Sequence, residues 1–236
     1  MIYVFLFLAG AVQGAANFGF VLIALPLLGL FMPLKTAVPL LTLVGLFLGT
    51  AQLFQIRKKP DLKMVSLLLI SGMIGVPLGT WILVAFDDVL LKGIVGIILV
   101  VAAVLLAKGY RVRRGGKMLH TVVGGFLSGL LKGAAAIGGP PIVILLSNYD
   151  LDKQTYRANI LTYFFLIGVF AIPNYVQAGL FNQAMFFQSI RGFGAAALGL
   201  VVGNLIFKRI DEMKFKRLTY GIVLLSGVMT MISVWN

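Results

Sequence analysis

The chain contains no cysteine, a single histidine and only seven acidic residues among its 236 residues. The absence of cysteine excludes a disulfide framework and thiol chemistry. Charged residues of both signs make up 11% of the chain, about half the share of a soluble protein, whereas hydrophobic residues make up 60%. This composition leaves too little polar surface for a water-soluble domain, so it predicts an integral membrane protein.

Inside a bilayer every backbone polar group must be paired, so a spanning protein is built either from helices or from a closed barrel. A barrel would show apolar and polar residues alternating through segments of about ten residues. Residues 93–107 and 218–234 are instead apolar on every side. The sequence therefore predicts an all-α integral membrane protein.

The net charge of +13 raises the question of a nucleic-acid partner. Most of the basic residues, however, lie in loops between apolar blocks, as they do under the positive-inside rule. We therefore predict a lipid bilayer as partner and no nucleic acid.

Charged clusters divide the chain into apolar blocks. A span needs about 20 apolar residues, and the blocks at 1–34 and 118–147 are too long for one upright helix and too short for two. Both contain glycine and proline, so each is predicted to form a broken hairpin, either re-entrant or made of two half-helices. We predict a first membrane repeat over 1–107, a basic cytoplasmic hinge over 108–117 and a second membrane repeat over 118–236.

The two halves share an ordered set of glycines and prolines. Small residues are common in membrane helices, so their order is more informative than their number. The aligned pairs are Gly10 with Gly125, Gly14 with Gly129, Pro26 with Pro141, Gly75 with Gly199 and Gly79 with Gly203. Each repeat is predicted to be one broken hairpin followed by three transmembrane helices.

The loops indicate how the repeats are oriented. Residues 57–63 are rich in lysine and arginine, whereas the equivalent loop at 177–183 carries no charge. Opposite bias in equivalent loops is typical of inverted repeats. We therefore expect the hinge and the 57–63 loop to be cytoplasmic. One hairpin then enters from each side, the 118–147 block from the cytoplasm and the 1–34 block from outside.

Lys132 and Arg191 lie inside apolar blocks, whereas all acidic residues lie in or beside loops. A charge at the bilayer centre costs about 2.5–3.5 kcal/mol on insertion scales. Because neither cation has an obvious carboxylate partner within the membrane, we predict that both bind a small anion. The alternative is that their long side chains reach an interface.

The backbone just after the first of these cations strengthens the prediction. Glycine permits the sharp bend and proline favours the first helical turn, so Gly138, Gly139 and Pro140 predict a half-helix that begins inside the membrane. The N–H groups at such a helix start suit anionic oxygens. The matching break in the first half is expected at Asn17 and Gly19. We predict that these residues bind substrate; the alternative is that the glycines serve only packing.

Asn159 is a further candidate binding residue, although buried amides in membrane helices more often hydrogen-bond between helices. The sequence shows no metal-ligand spacing, no phosphate-binding loop and no Ser/His/Asp set. We therefore predict no metal, no cofactor and no enzymatic activity.

These features resemble the sulfite exporter TauE/SafE family over nearly the whole chain. The resemblance rests on residues 125–129 and 138–141, on Arg157 and on the repeated arrangement of the first half. Residues 14–19 depart from the family pattern, which is richer in glycine there. The resemblance implies export of sulfite or a small organosulfur anion, such as a sulfonate, across a bacterial inner membrane.

The sequence thus predicts a secondary transporter that exports a small anion by alternating access, with an anion-selective channel as the alternative. Because the apolar blocks lack aspartate and glutamate, efflux driven by the membrane potential is favoured over proton or sodium coupling. A Schiff-base role for Lys132 would require a nearby carboxylate counter-ion, which the sequence does not supply. A purely structural membrane subunit and a homodimer stay open.

Overall fold

The computed structural model describes residues 1–16, 19–56, 58–108, 117–147, 149, 151–206, 221, 224 and 228. This part of the chain contains helices and no strand, which confirms the all-α prediction. The helices are α1 (Ile2–Ala16), α2 (Phe20–Gly29), α3 (Leu34–Leu53), α4 (Leu62–Ala85), α5 (Asp88–Ala107), α6 (Lys117–Ala135), α7 (Gly139–Leu146), α8 (Lys153–Gln177) and α9 (Gln183–Ile206).

Six of the described helices, α3 to α6, α8 and α9, are long and apolar enough to cross a membrane. Five of them coincide with predicted spans. The sixth, α6, is one arm of a predicted hairpin and is longer than a half-helix needs to be. The third transmembrane helix predicted for the second repeat, at residues 218–235, lies outside the described residues except for three isolated positions. Most of the predicted hinge lies outside them as well.

Both predicted hairpins are broken where glycine was expected to break them. In the first hairpin Gly19 has a φ of 103°, and α2 begins at the next residue. In the second hairpin α6 ends at Ala135 and α7 begins at Gly139. At about 1.5 Å per residue, α2 and α7 are about 15 and 12 Å long, which is too short to cross a hydrocarbon core of about 30 Å.

Polar contacts between loops define two faces of the helix bundle. On the first, here called the Lys58 face, the Lys58 ammonium lies 2.6 Å from the Asp152 carboxylate, which joins the α3–α4 loop to the start of α8. On the opposite, Asp88 face, the Leu34 N–H donates to Asp88 at 2.6 Å and Lys35 donates to the Val84 carbonyl at 2.8 Å. Helix α3 therefore starts at the Asp88 face and ends at the Lys58 face. Helix α8 starts at the Lys58 face, so α3 and α8 are antiparallel.

Glycines allow the long arm of the second hairpin to pack backbone to backbone against α4. A Cβ added at Gly129 would collide with the Gly72 carbonyl, and one added at Gly133 would collide with the Val76 carbonyl. The numbers increase together on both helices, so α4 and α6 are parallel. The second hairpin consequently enters the bundle from the Lys58 face.

The long arm of the first hairpin packs on α9 in the same manner. A Cβ added at Gly10 would collide with the Ala196 carbonyl, and one added at Gly14 would collide with the Leu200 carbonyl. Helices α1 and α9 are therefore parallel as well. Because α9 follows α8 and starts at the Asp88 face, the first hairpin enters from that face, opposite to the second.

Candidate functional site

The broken tips of the two hairpins converge on one cavity of about 90 Å³. A water molecule needs about 10–15 Å³ by this measure, so the cavity has room for a small ligand. Helices α3 and α8 complete its wall. The lining residues are Gln13, Gly19, Phe20, Val21, Leu22, Thr42, Gly45, Leu46, Gly49, Lys132, Ala136, Ile137, Gly138, Gly139, Leu161, Phe164, Phe165 and Gly168.

Lys132 supplies the charge of this cavity. It belongs to the last turn of α6 and is the one ionisable residue among the described lining residues. None of the ion pairs within the described ranges involves it. The Tyr175 hydroxyl donates to the Lys132 carbonyl at 2.7 Å, which fixes the backbone that carries this side chain. A cation thus faces a largely apolar cavity, and no carboxylate of the described residues neutralises it.

The backbone beside Lys132 turns sharply to start α7. Ala136 has a φ of 58°, a strained conformation for a residue with a Cβ, and such strain occurs often at functional sites. The Ser128 hydroxyl donates to the Gly138 carbonyl at 2.6 Å and ties the turn back to α6. A Cβ at Gly138 would lie 3.6 Å from the Lys132 Cβ, so the start of α7 lies directly beside the cation.

The tip of the first hairpin presents a different chemistry. The Gln13 side-chain oxygen accepts a hydrogen bond from the Phe20 N–H at 3.2 Å, at the first residue of α2. Its side-chain nitrogen donates to the Gln52 side-chain oxygen on α3 at 2.9 Å. The Phe20 N–H at this helix start is therefore paired within the protein, and no charged residue of the described first hairpin lines the cavity beside it.

The structure brings four of the predicted site residues together at the cavity: Lys132, Gly138, Gly139 and Gly19. Pro140 is buried in α7 and does not line the cavity, while Asn17 lies outside the described residues.

The remaining two predicted residues lie away from the cavity. Arg191 is exposed on α9 and is not among the lining residues. Asn159 is buried on α8, where its side-chain oxygen accepts from the Asp61 N–H at 2.7 Å. That hydrogen bond joins α8 to the loop before α4, which is the interhelical role that the sequence offered as the alternative.

Sequence reasoning missed a regular correspondence within the lining. Seven pairs of lining residues are each separated by 119 positions in the sequence. The pairs are Gln13 with Lys132, Gly19 with Gly138, Phe20 with Gly139, Thr42 with Leu161, Gly45 with Phe164, Leu46 with Phe165 and Gly49 with Gly168. Fourteen of the 18 lining residues therefore lie at equivalent positions in the two halves.

This separation also corrects the sequence alignment of the hairpins by one helical turn. It pairs Gly10 with Gly129 and Gly14 with Gly133, and the packing contacts agree, because each pair meets an equivalent stretch of α9 and α4. The sequence had paired Gly10 with Gly125. Glycines recur every four residues in α6, so neighbouring alignments match equally well in the sequence, and only the contacts distinguish them.

The chain matches the family described as sulfite exporter TauE/SafE over residues 2–230. It belongs to that family. Comparisons with curated proteins and with solved structures found no match. As a TauE/SafE member the protein is a multi-pass membrane transporter of sulfite or a related anion. A cavity lysine that pairs with no carboxylate among the described residues is consistent with an anionic substrate.

Proposed function

We propose that this TauE/SafE protein exports sulfite or a small organosulfur anion, such as a sulfonate, and that the cavity between the hairpin tips holds the anion. The observation that carries the proposal is Lys132, a cation that faces the cavity with no carboxylate partner among the described residues. The backbone N–H groups of Gly138 and Gly139, at the start of α7, would hold the anionic oxygens, because the first N–H groups of a helix have no partner within that helix. The next two residues, Pro140 and Pro141, have no N–H to donate.

We further propose alternating access by two inverted repeats. Helices α3 and α8 carry corresponding lining residues and run in opposite directions, and the two hairpins enter from opposite faces, which supports this arrangement. Transporters of this kind bind substrate at the interface between the repeats and rock one part against the other. The two arms of each hairpin would then move with different neighbours.

The Lys58 face would be cytoplasmic in a bacterial inner membrane, because the basic loop at 57–63 belongs to it. With this orientation the membrane potential favours exit of an anion by about 2.3 kcal/mol per charge per 100 mV. No carboxylate lines the described part of the cavity, so efflux driven by the potential is the mechanism we favour.

Anion flux in proteoliposomes tests the proposal, with methanesulfonate and sulfite as substrates. Lys132→Gln should lower the flux on the order of tenfold or more, because it removes the charge while keeping a side chain of similar length. Lys153→Gln is the matched control, since it removes an exposed lysine at the start of α8. Wild-type flux from a normally folded Lys132→Gln protein would contradict the proposal.

Two further measurements separate the alternatives. Flux that is accelerated by anion on the opposite side of the membrane indicates a transporter, because a channel shows no such exchange. Arg191→Gln, measured in parallel, tests whether the second predicted cation acts on the anion from its exposed position on α9.

A further inference from the structure

The corresponding positions of the cavity carry unequal charge. Gln13 and Lys132 occupy equivalent places on the long arms of the two hairpins, one turn before the break. If both positions carried lysine, the cavity would hold two cations. It holds one among its described lining residues, because the first hairpin has a neutral amide where the second has an ammonium.

The hydrogen bonds of Gln13 add to this asymmetry. Its oxygen already accepts from the Phe20 N–H, and its nitrogen already donates to Gln52. Neither helix start is capped by the side chain of its own N-cap residue, which is glycine in both. At the start of α2, however, the Gln13 oxygen occupies the Phe20 N–H, whereas the matching residue beside α7 is Lys132, which cannot accept a hydrogen bond. The first hairpin consequently offers an incoming anion less positive potential than the second.

We propose that the cavity selects anions with a single negative charge, such as a monosulfonate or the hydrogensulfite form of sulfite, and that Gln13 is the residue that sets this limit. A monoanion is neutralised by Lys132, whereas a dianion leaves one unpaired charge in a cavity that is otherwise lined by apolar and neutral residues. Burial of an unpaired charge is strongly unfavourable. The inference rests on the proposed function, since it assumes that the anion binds in this cavity.

Methanesulfonate and sulfate form a suitable pair of probes, because they are close in size and differ by one charge. Isothermal titration calorimetry of the purified full chain, at constant ionic strength and neutral pH, gives the ratio of their dissociation constants. The wild-type protein should bind methanesulfonate on the order of tenfold more tightly than sulfate. Equal or tighter binding of sulfate by the wild-type protein would overturn the inference.

Gln13→Lys should shift this ratio towards sulfate on the order of tenfold, since it adds a second cation and frees the Phe20 N–H. Two control variants distinguish the effect of a charge in the cavity from the loss of the Gln13 hydrogen bonds and from added charge elsewhere on the protein. Gln13→Met removes the hydrogen bonds without adding charge, and Gln177→Lys adds the same charge at the exposed end of α8. Both should keep the wild-type ratio. A Gln13→Lys protein that binds methanesulfonate but keeps that ratio would contradict the role of Gln13.

The double variant Gln13→Lys with Lys132→Gln moves the cation to the other hairpin and keeps the charge count. It should retain the preference for methanesulfonate, and a preference for sulfate would contradict the inference. Should the Gln13 variants not fold, the wild-type ratio alone decides whether the cavity prefers monoanions. Absence of binding of either anion to the folded wild-type protein would instead overturn the proposed function, so the two failures are distinguishable.

Discussion

The two hairpins occupy matching positions in the fold, yet their tips differ in chemistry. In the first hairpin the polar side chain at the tip is used within the protein: the Gln13 oxygen accepts from the Phe20 N–H at the start of α2, and its nitrogen donates to Gln52 on α3. The second hairpin leaves Lys132 facing the cavity and fixes its backbone instead, through Tyr175 and Ser128. The positions of the tips are thus shared between the halves, while the groups available to a ligand belong mainly to the second half.

This difference indicates that packing and binding impose separate requirements on the hairpins. The close approach of the long arms to their neighbours depends on small residues in both halves, because backbones can meet only where side chains are absent. Ligand chemistry needs only one charged tip. Substitutions at the packing glycines should therefore lower stability by similar amounts in the two halves. Substitutions at the hairpin tips should instead alter anion binding more in the second half than in the first.

The largest expected effect on stability comes from adding a methyl group at the glycines where the long arm of each hairpin packs against its neighbouring helix. Gly133→Ala and Gly14→Ala each place a Cβ against a backbone carbonyl of the facing helix. Since backbone cannot yield as a side chain can, we expect each to lower the free energy of unfolding by about 3 kcal/mol. Thermal unfolding in detergent measures this loss.

Gly194→Ala is the matched control for these two variants, because it lies on α9 with no atom within 4 Å of the added Cβ. It should be neutral or slightly stabilising, since alanine favours helix over glycine by up to about 1 kcal/mol. A large loss in only one of Gly133→Ala and Gly14→Ala would contradict the equivalence of the two long arms.

Ser128→Ala tests the support of the charged tip and should have an intermediate effect. Its hydroxyl donates to the Gly138 carbonyl at 2.6 Å, and the matching residue of the first hairpin is Ala9. We expect a loss of about 1 kcal/mol in the free energy of unfolding, because a buried carbonyl loses its partner. Methanesulfonate affinity should fall too, as the start of α7 is less firmly placed beside Lys132.

Ser66→Ala controls for loss of a serine hydroxyl at an exposed helix position, where it donates to the Lys63 carbonyl at 3.1 Å. It should change neither stability nor affinity measurably. A Ser128→Ala protein that is as stable as the wild type and binds as tightly would show that the tip is held by other contacts.

The smallest effect is expected at the Lys58 face, outside the membrane. The Lys58 ammonium and the hydrogen bonds of Thr155 hold the pKa of the Asp152 carboxyl well below its ordinary value of about 3.8. Because the pKa of Asp152 is lower in the folded state, the ion pair with Lys58 stabilises the protein at pH values above about 3.8. This contribution is lost as the pH falls through the folded pKa. Near neutral pH it should be fully present and, being exposed, small.

Asp152→Asn measures this contribution through the thermal midpoint at several pH values. The difference from the wild type should be small and constant near neutral pH, and it should shrink only in strong acid. A difference that grows as the pH falls would contradict the lowered pKa. The helix cap also involves Asp152, so Lys58→Gln is needed to isolate the ion pair.

The candidate site was partly predictable. A lysine in an apolar block and a Gly-Gly-Pro-Pro run were sufficient to predict Lys132, Gly138 and Gly139, because insertion cost and backbone freedom depend on local sequence. Arg191 met the same insertion criterion, yet it lies exposed on α9 away from the cavity. Whether a charge faces a cavity or the outer surface depends on how its helix is rotated in the bundle, which is decided by the neighbouring helices.

Gln13 illustrates what local sequence could not indicate. An amide in an apolar helix is common, and its relation to Lys132 is visible only when the two halves are superimposed by their contacts. The glycine pattern suggested the superposition but misplaced it by one turn, because a four-residue repeat matches itself after each turn.

By itself, the amino-acid sequence determined the membrane class, the helical content, the positions of the two breaks and the presence of a cation beside one of them. These follow from hydropathy, from backbone hydrogen bonding in a bilayer and from the conformational freedom of glycine. The tertiary structure decided that both breaks meet at one cavity, and which polar groups face it. That outcome depends on backbone contacts between helices distant in the chain, and small residues allow such contacts without specifying their partners.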